Sequence, residues 1–88
     1  MAFTFTIEKS GDMEKTIENL KERAAKMGAT ISGDKTSGTI KSAEGIEGTY
    51  TTTPDHIEIT ITKSPYPEMY NDMIIGEVKN QFRLSGSQ

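Results

Sequence analysis

Apolar and polar residues alternate at the start of the chain, where Phe3, Phe5 and Ile7 are interleaved with Thr4, Thr6 and Glu8. A period of two predicts a strand with one buried face. The period then lengthens: Met13, Ile17, Leu20, Ala24 and Met27 recur at three- and four-residue spacing, after the turn and capping residues Ser10-Gly11-Asp12 and before Gly28. That spacing predicts a first helix over about residues 12–27, with Gly28 as its C-terminal stop. Its other face carries Glu14, Lys15, Glu18, Lys21, Glu22 and Lys26 and reads as solvated.

From Ala29 onward the chain turns rich in Thr, Ile and Gly, with turn signals at Gly33-Asp34, Ala43-Glu44-Gly45 and Pro54-Asp55. Four strands are predicted, near 29–32, 37–42, 46–53 and 56–63. Pairing across Pro54-Asp55 fixes a register. With Thr53 opposite His56, Thr52 meets Ile57, Tyr50 meets Ile59 and Gly48 meets Ile61, while Thr51 meets Glu58 and Thr49 meets Thr60. A slip of one residue would move Tyr50 among the polar set, so burial selects this pairing. Gly48 leaves room opposite Ile61, where a helix is expected to approach closely.

Ser64-Pro65-Tyr66-Pro67 closes the last strand, and Tyr70, Ile74, Val78 and Phe82 then recur at four-residue steps beside Met73 and Ile75. This is the apolar stripe of a second helix. Gly76 weakens it by about 1 kcal/mol relative to Ala unless it marks a close helix–sheet contact. The expected fold is therefore α+β, a two-layer sandwich. Both helices lie on one face of an antiparallel sheet of about five strands, in the order β-α-β-β-β-β-α. One domain is expected over 1–84, with 85–88 as a frayed tail.

Composition narrows the function. Thirteen acidic and ten basic side chains give a net charge of −3, the wrong sign for a domain that relies on phosphate contacts, so no nucleic-acid partner is expected. No Cys means no disulfide or thiolate metal site, which fits a cytoplasmic setting. No apolar stretch is long enough to span a membrane, and the N-terminus lacks a leader pattern, so the expectation is a soluble, unprocessed protein.

Candidate chemistry is sparse. His56, the only histidine, lies beside Asp55, but a general base needs a concave site and a nucleophile and this pair falls on a hairpin tip. No catalytic residue, metal site or cofactor is expected. The segment from Gly33 to Gly38 lacks the Gly-Lys-Ser/Thr ending of a phosphate loop, and Gly45-Ile46-Glu47-Gly48 lacks the helical, basic setting of a nucleic-acid clamp. The open sheet face would carry Thr4, Thr6, Thr49, Thr51, Thr60 and Thr62 with Lys41, Glu47 and Glu58, the ordinary dress of a solvated strand face. Tyr66, Met69, Tyr70 and Met73 cluster where the last strand leads into the second helix, and Met and Tyr suit adaptable apolar contacts. They form the candidate partner or ligand surface.

Gly33-Asp34, Gly45-Ile46-Glu47-Gly48-Thr49 and Pro54-Asp55-His56-Ile57-Glu58-Ile59, with the amphipathic helix after them, resemble the small bacterial polyhydroxyalkanoic acid system proteins. In that family a similar Gly-apolar-acid-Gly-Thr step leads through an Asp-His turn into an alternating strand. The likeness covers most of residues 27–82, and Ser64-Pro65-Tyr66-Pro67 stands where family members carry a Gly-flanked, Leu/Phe-rich link. The resemblance implies association with polyester-storage systems and no established enzymatic activity or cofactor. The functional expectation is a small non-enzymatic association protein that contacts a protein partner, itself or a hydrophobic granule surface. The alternative is a domain binding a lipid or small hydrophobic ligand, which requires a real cavity; RNA binding ranks third, against the charge.

Overall fold

The computed structural model describes residues 2–9 and 12–86. Strand β1 (Phe3–Glu8) leads to helix α1 (Met13–Lys26), then to strands β2 (Thr30–Gly33), β3 (Ser37–Lys41), β4 (Glu47–Thr52) and β5 (His56–Lys63). A 3₁₀ turn at Glu68–Tyr70 runs into helix α2 (Asn71–Gly86). The sheet is antiparallel in the order β1-β5-β4-β3-β2, so the first strand closes against the last and β5 lies between two partners.

The register across Pro54-Asp55 is the one that burial selects: Thr52 faces Ile57, Tyr50 faces Ile59 and Gly48 faces Ile61. One step further the pairing shifts, Glu47 lying opposite Lys63, and the extra residue Thr62 donates its hydroxyl to the Glu47 carbonyl at 3.2 Å. This bulge ends the alternation near the last strand's exit.

Helix α1 starts where Asp12 accepts hydrogen bonds from the backbone N–H groups of Glu14 (3.0 Å) and Lys15 (3.4 Å). A carboxylate there satisfies donors that the first turn leaves open. Thr16 is buried because its hydroxyl turns back to the Asp12 carbonyl at 2.8 Å. Ser10 and Gly11, expected in the same turn, lie outside the described residues. Gly28 ends the helix at φ +80°, a conformation that L side chains rarely adopt.

Both helices cover one face of the sheet. Met13, Ile17 and Leu20 of α1 and Ile74 and Phe82 of α2 join Tyr50, Ile57, Ile59 and Ile61 in one buried cluster. Tyr50 and Phe82 meet edge to face with ring centres 6.4 Å apart. The Tyr50 ring crosses the inner side of Gly38, its register partner, where an added Cβ would fall 2.6 Å from the ring, and its hydroxyl donates to the Asp34 carbonyl at 2.5 Å. The opposite face is hydroxyl-rich. One row, Ser32, Thr39, Thr49, Thr60 and Thr4, crosses all five strands in register.

Three expectations change. The space over Gly48 is filled by the Ile61 side chain and the Thr60 carbonyl, not by a helix, because a Cβ there would lie 3.1 Å from Ile61 Cδ1 and 2.6 Å from that oxygen. Met27, the last member of the first helical stripe, is the C-cap and more than half exposed. Helix α2 continues through Gly86 with Ser85 buried and its carbonyl accepting from Asn19 Nδ2 at 3.0 Å. Ser87 and Gln88 lie outside the described residues. No helix among those described is long and apolar enough to cross a membrane.

Candidate functional site

The lead into α2 is ordered by local bonds. Tyr66 N donates to Ser64 Oγ at 3.2 Å, Pro67 is extended, and Tyr70 N donates to the Pro67 carbonyl at 3.0 Å, closing the 3₁₀ turn. The β3–β4 turn is organised in parallel. Ser42 Oγ accepts from Glu44 N (3.2 Å) and Ile46 N (3.1 Å), and Gly45 takes φ +100°. The two segments meet where the Tyr66 hydroxyl donates to Glu44 Oε2 at 2.9 Å. That bond raises the Tyr66 phenol above its ordinary value, with desolvation and the Glu44 charge adding in the same direction. The Tyr66 and Tyr70 rings meet at 61° with centres 6.0 Å apart.

Behind Tyr66 the structure opens into a cleft of about 470 Å³. Its walls are the last turns of α1 (Leu20, Ala24, Met27) and the first turns of α2 (Met73, Ile74, Val78), and its floor includes Ile31, Ile40, Ile46 and Ile61. Phe82 closes the inner end. Ile31 and Ile40 are only half-buried, in contrast to Ile57, Ile59 and Ile61 of β5. The helices therefore cover the isoleucines of β5 more fully than those of β2 and β3, although α1 still reaches β2 where Lys21 Nζ donates to the Gly33 carbonyl at 2.8 Å.

Two of the four candidate residues, Tyr66 and Met73, line this cleft, and Met73 is 63% exposed on its rim. Met69, 80% exposed, and Tyr70 lie outside the lining. The cleft gathers two residues that the sequence offered no reason to pick. Met27 reads as one more core position of its helix, and Glu44 reads as a turn residue whose partner lies 22 positions away. The one available sign was the position of Met27 at the very end of a stripe, next to Gly28, where a helical face stops being covered.

His56 and Asp55 line a second, open hollow of about 730 Å³ on the other side of Phe82. Lys9, Lys79, Arg83 and Glu8 share its walls with Met13 and Ile57. Lys9 Nζ donates to the Thr53 carbonyl at 3.1 Å and Arg83 Nη2 to Asn80 Oδ1 at 2.5 Å. Among the described residues no group of three or more His, Asp or Glu is placed to hold a metal ion. No protein-family model matches the chain, and neither a curated protein nor a solved structure does.

Proposed function

We propose that this chain is a non-enzymatic binding domain whose cleft between α1, α2 and the β2–β3 side of the sheet takes the apolar part of a ligand or partner. The observation that carries the reading is a cleft of about 470 Å³ with mainly aliphatic walls and two exposed methionines, Met27 and Met73, at its mouth. Ligand clefts typically fall in the range of about 300–1,000 Å³, apolar inside with a few polar groups at the edge. Exposed Met side chains are flexible and polarizable, which suits them to adapt to an apolar occupant. The resemblance to polyhydroxyalkanoic acid system proteins makes a polyester granule surface one setting in which such a cleft would work.

The test uses the methionine methyl groups as reporters, because Met27 and Met73 line the cleft whereas Met13 lines the other hollow. Titration of 13C-methyl-labelled protein with monomeric octyl glucoside should shift Met27 and Met73 and leave Met13 in place, with a rise in melting temperature as the native state is bound. Silence at Met27 and Met73 would end the proposal, and so would an equal shift at Met13.

A second reading, self-association, is favoured by Met69 and Tyr70, which are exposed yet lie outside the cleft. It predicts a sedimentation coefficient that rises with protein concentration and stops doing so in Met69→Lys.

A further inference from the structure

The ionisable side chains that line the apolar cleft are Glu44 and Glu77, apart from the Tyr66 phenol, and its lining contains no Lys, Arg or His. On the α2 side, residues 64–78 include Glu68, Asp72 and Glu77 and no cation, whereas the α1 wall carries Lys21, Glu22, Arg23 and Lys26 beside its lining residues Leu20, Ala24 and Met27. The cations of α2, Lys79 and Arg83, line the other hollow. Arg23 does touch the lining, its Nε donating to Gln81 Oε1 at 3.1 Å, and Gln81 Nε2 donates in turn to Glu77 Oε1 at 3.0 Å. Glu77 is thereby held in place with its other oxygen unbonded among the described residues. Glu44 is held likewise by the Tyr66 hydroxyl on Oε2.

From this charge pattern we infer that the occupant of the cleft is a basic amphipathic helix of a partner protein, an inference that rests on the cleft reading above. A carboxylate or phosphate amphiphile would bring its charge against Glu44 and Glu77, whereas a cation beside an apolar stripe finds a carboxylate on each side of the mouth. The lining also offers little for an extended backbone to bond. Beyond the two carboxylates and Tyr66 its polar side chains are Ser42 and Gln81. A helix satisfies its own N–H and C=O groups and needs from the groove only space for side chains at i, i+3 or i+4 and i+7. Met27 and Met73 provide the adaptable edges of that space.

The experiment compares three synthetic peptides of about four helical turns that share one leucine stripe and carry Lys, Gln or Glu beside it. Calorimetry gives affinity, the Met methyl signals give location, and circular dichroism gives the peptide's conformation. The Lys peptide should bind with Met27 and Met73 shifted and Met13 unmoved, gain helix, and exceed the Glu peptide by about tenfold or more at low salt, with the gap closing as ionic strength rises. Glu44→Gln together with Glu77→Gln should weaken the Lys peptide by about three- to tenfold and narrow its advantage over the Glu peptide. Equal or tighter cleft binding of the Glu or Gln peptide overturns the inference and leaves the cleft reading standing. So does a Lys peptide that docks as an extended strand along β2. Failure of every peptide and of octyl glucoside to move Met27 and Met73 overturns both.

Discussion

On the two sides of Phe82 the molecule opens to solvent in different ways. Toward β2 and β3 the walls are aliphatic and the charged groups of the lining are carboxylates, whereas toward β1 and the start of β5 three cations, two carboxylates and His56 surround a smaller apolar floor. One helix serves both, because α2 carries its acidic residues in its first turns and Lys79 and Arg83 farther on. The difference teaches where function is to be sought. A mixed, solvated hollow of this kind is the ordinary consequence of surface charges around a strand end, while an open aliphatic cleft keeps apolar area in contact with water, and the proposed binding role rests on that difference.

Phe82 keeps the two regions apart, so its loss is the largest expected effect. Phe82→Ala removes a ring that is 3% exposed and packed on Tyr50, and should destabilise by about 3–5 kcal/mol. The check is a lowered urea midpoint at similar slope. If the variant folds, a cleft ligand should now reach Met13 as well, ending the contrast between reporters.

The next effect is at the β2–β3 turn, outside the lining of the apolar cleft. Tyr50→Phe keeps the ring over Gly38 and deletes the bond to the Asp34 carbonyl that ties the β2–β3 turn to the core. A loss of about 1 kcal/mol is expected, with faster amide exchange in that turn and little change around His56. Uniform exchange throughout would mean that the two regions do not unfold separately.

Gly76 provides a change that touches neither hollow. An added Cβ there meets nothing within 4 Å, so Gly76→Ala should stabilise by about 0.5–1 kcal/mol and raise Tm by a few degrees. Cleft affinity should stay constant. A change in affinity would tie cleft geometry to helix stability.

Met73→Gln should alter stability by less than about 0.5 kcal/mol, because the side chain is largely exposed, yet weaken cleft binding. His56→Ala should leave cleft binding unaltered. Reversal of these two results would move the binding site across Phe82.

The smallest effect is a pH dependence at the mouth. The folded-state pKa of Tyr66 is raised, first by its bond to Glu44, so the stability it contributes is fully present below the ordinary phenol value near 10 and is lost as pH rises through the folded value. An NMR titration of the Tyr66 ring should show the raised value, and Glu44→Gln should lower it toward normal.

Much of the fold was legible because it is written in short periods. The strand near 46–53 and its partner at 56–63 pair as Tyr50 with Ile59 and Gly48 with Ile61, since only that register puts the apolar residues on one face. The first helix runs between its capping Asp12 and Gly28 for equally local reasons. The candidate site was half legible: Tyr66 and Met73 line the cleft, while Met69 and Tyr70 stand outside it. Met27 misled because helical spacing identifies which residues share a stripe and not how far the neighbouring layer reaches to cover it. Gly48 misled similarly, since the missing side chain made room for Ile61 on the adjacent strand.

By itself the sequence determined the elements, their order, the register of the central hairpin and the sign of the net charge, all properties of neighbours along the chain or of sums over it. Tertiary structure alone decided that Ile31 and Ile40 are left half-covered beneath the helices, that Glu44 receives the Tyr66 hydroxyl, and that Phe82 lines both an aliphatic cleft and a charged hollow. Those features depend on groups tens of residues apart being brought into contact, and periodicity carries no information about how far one packed layer covers the other.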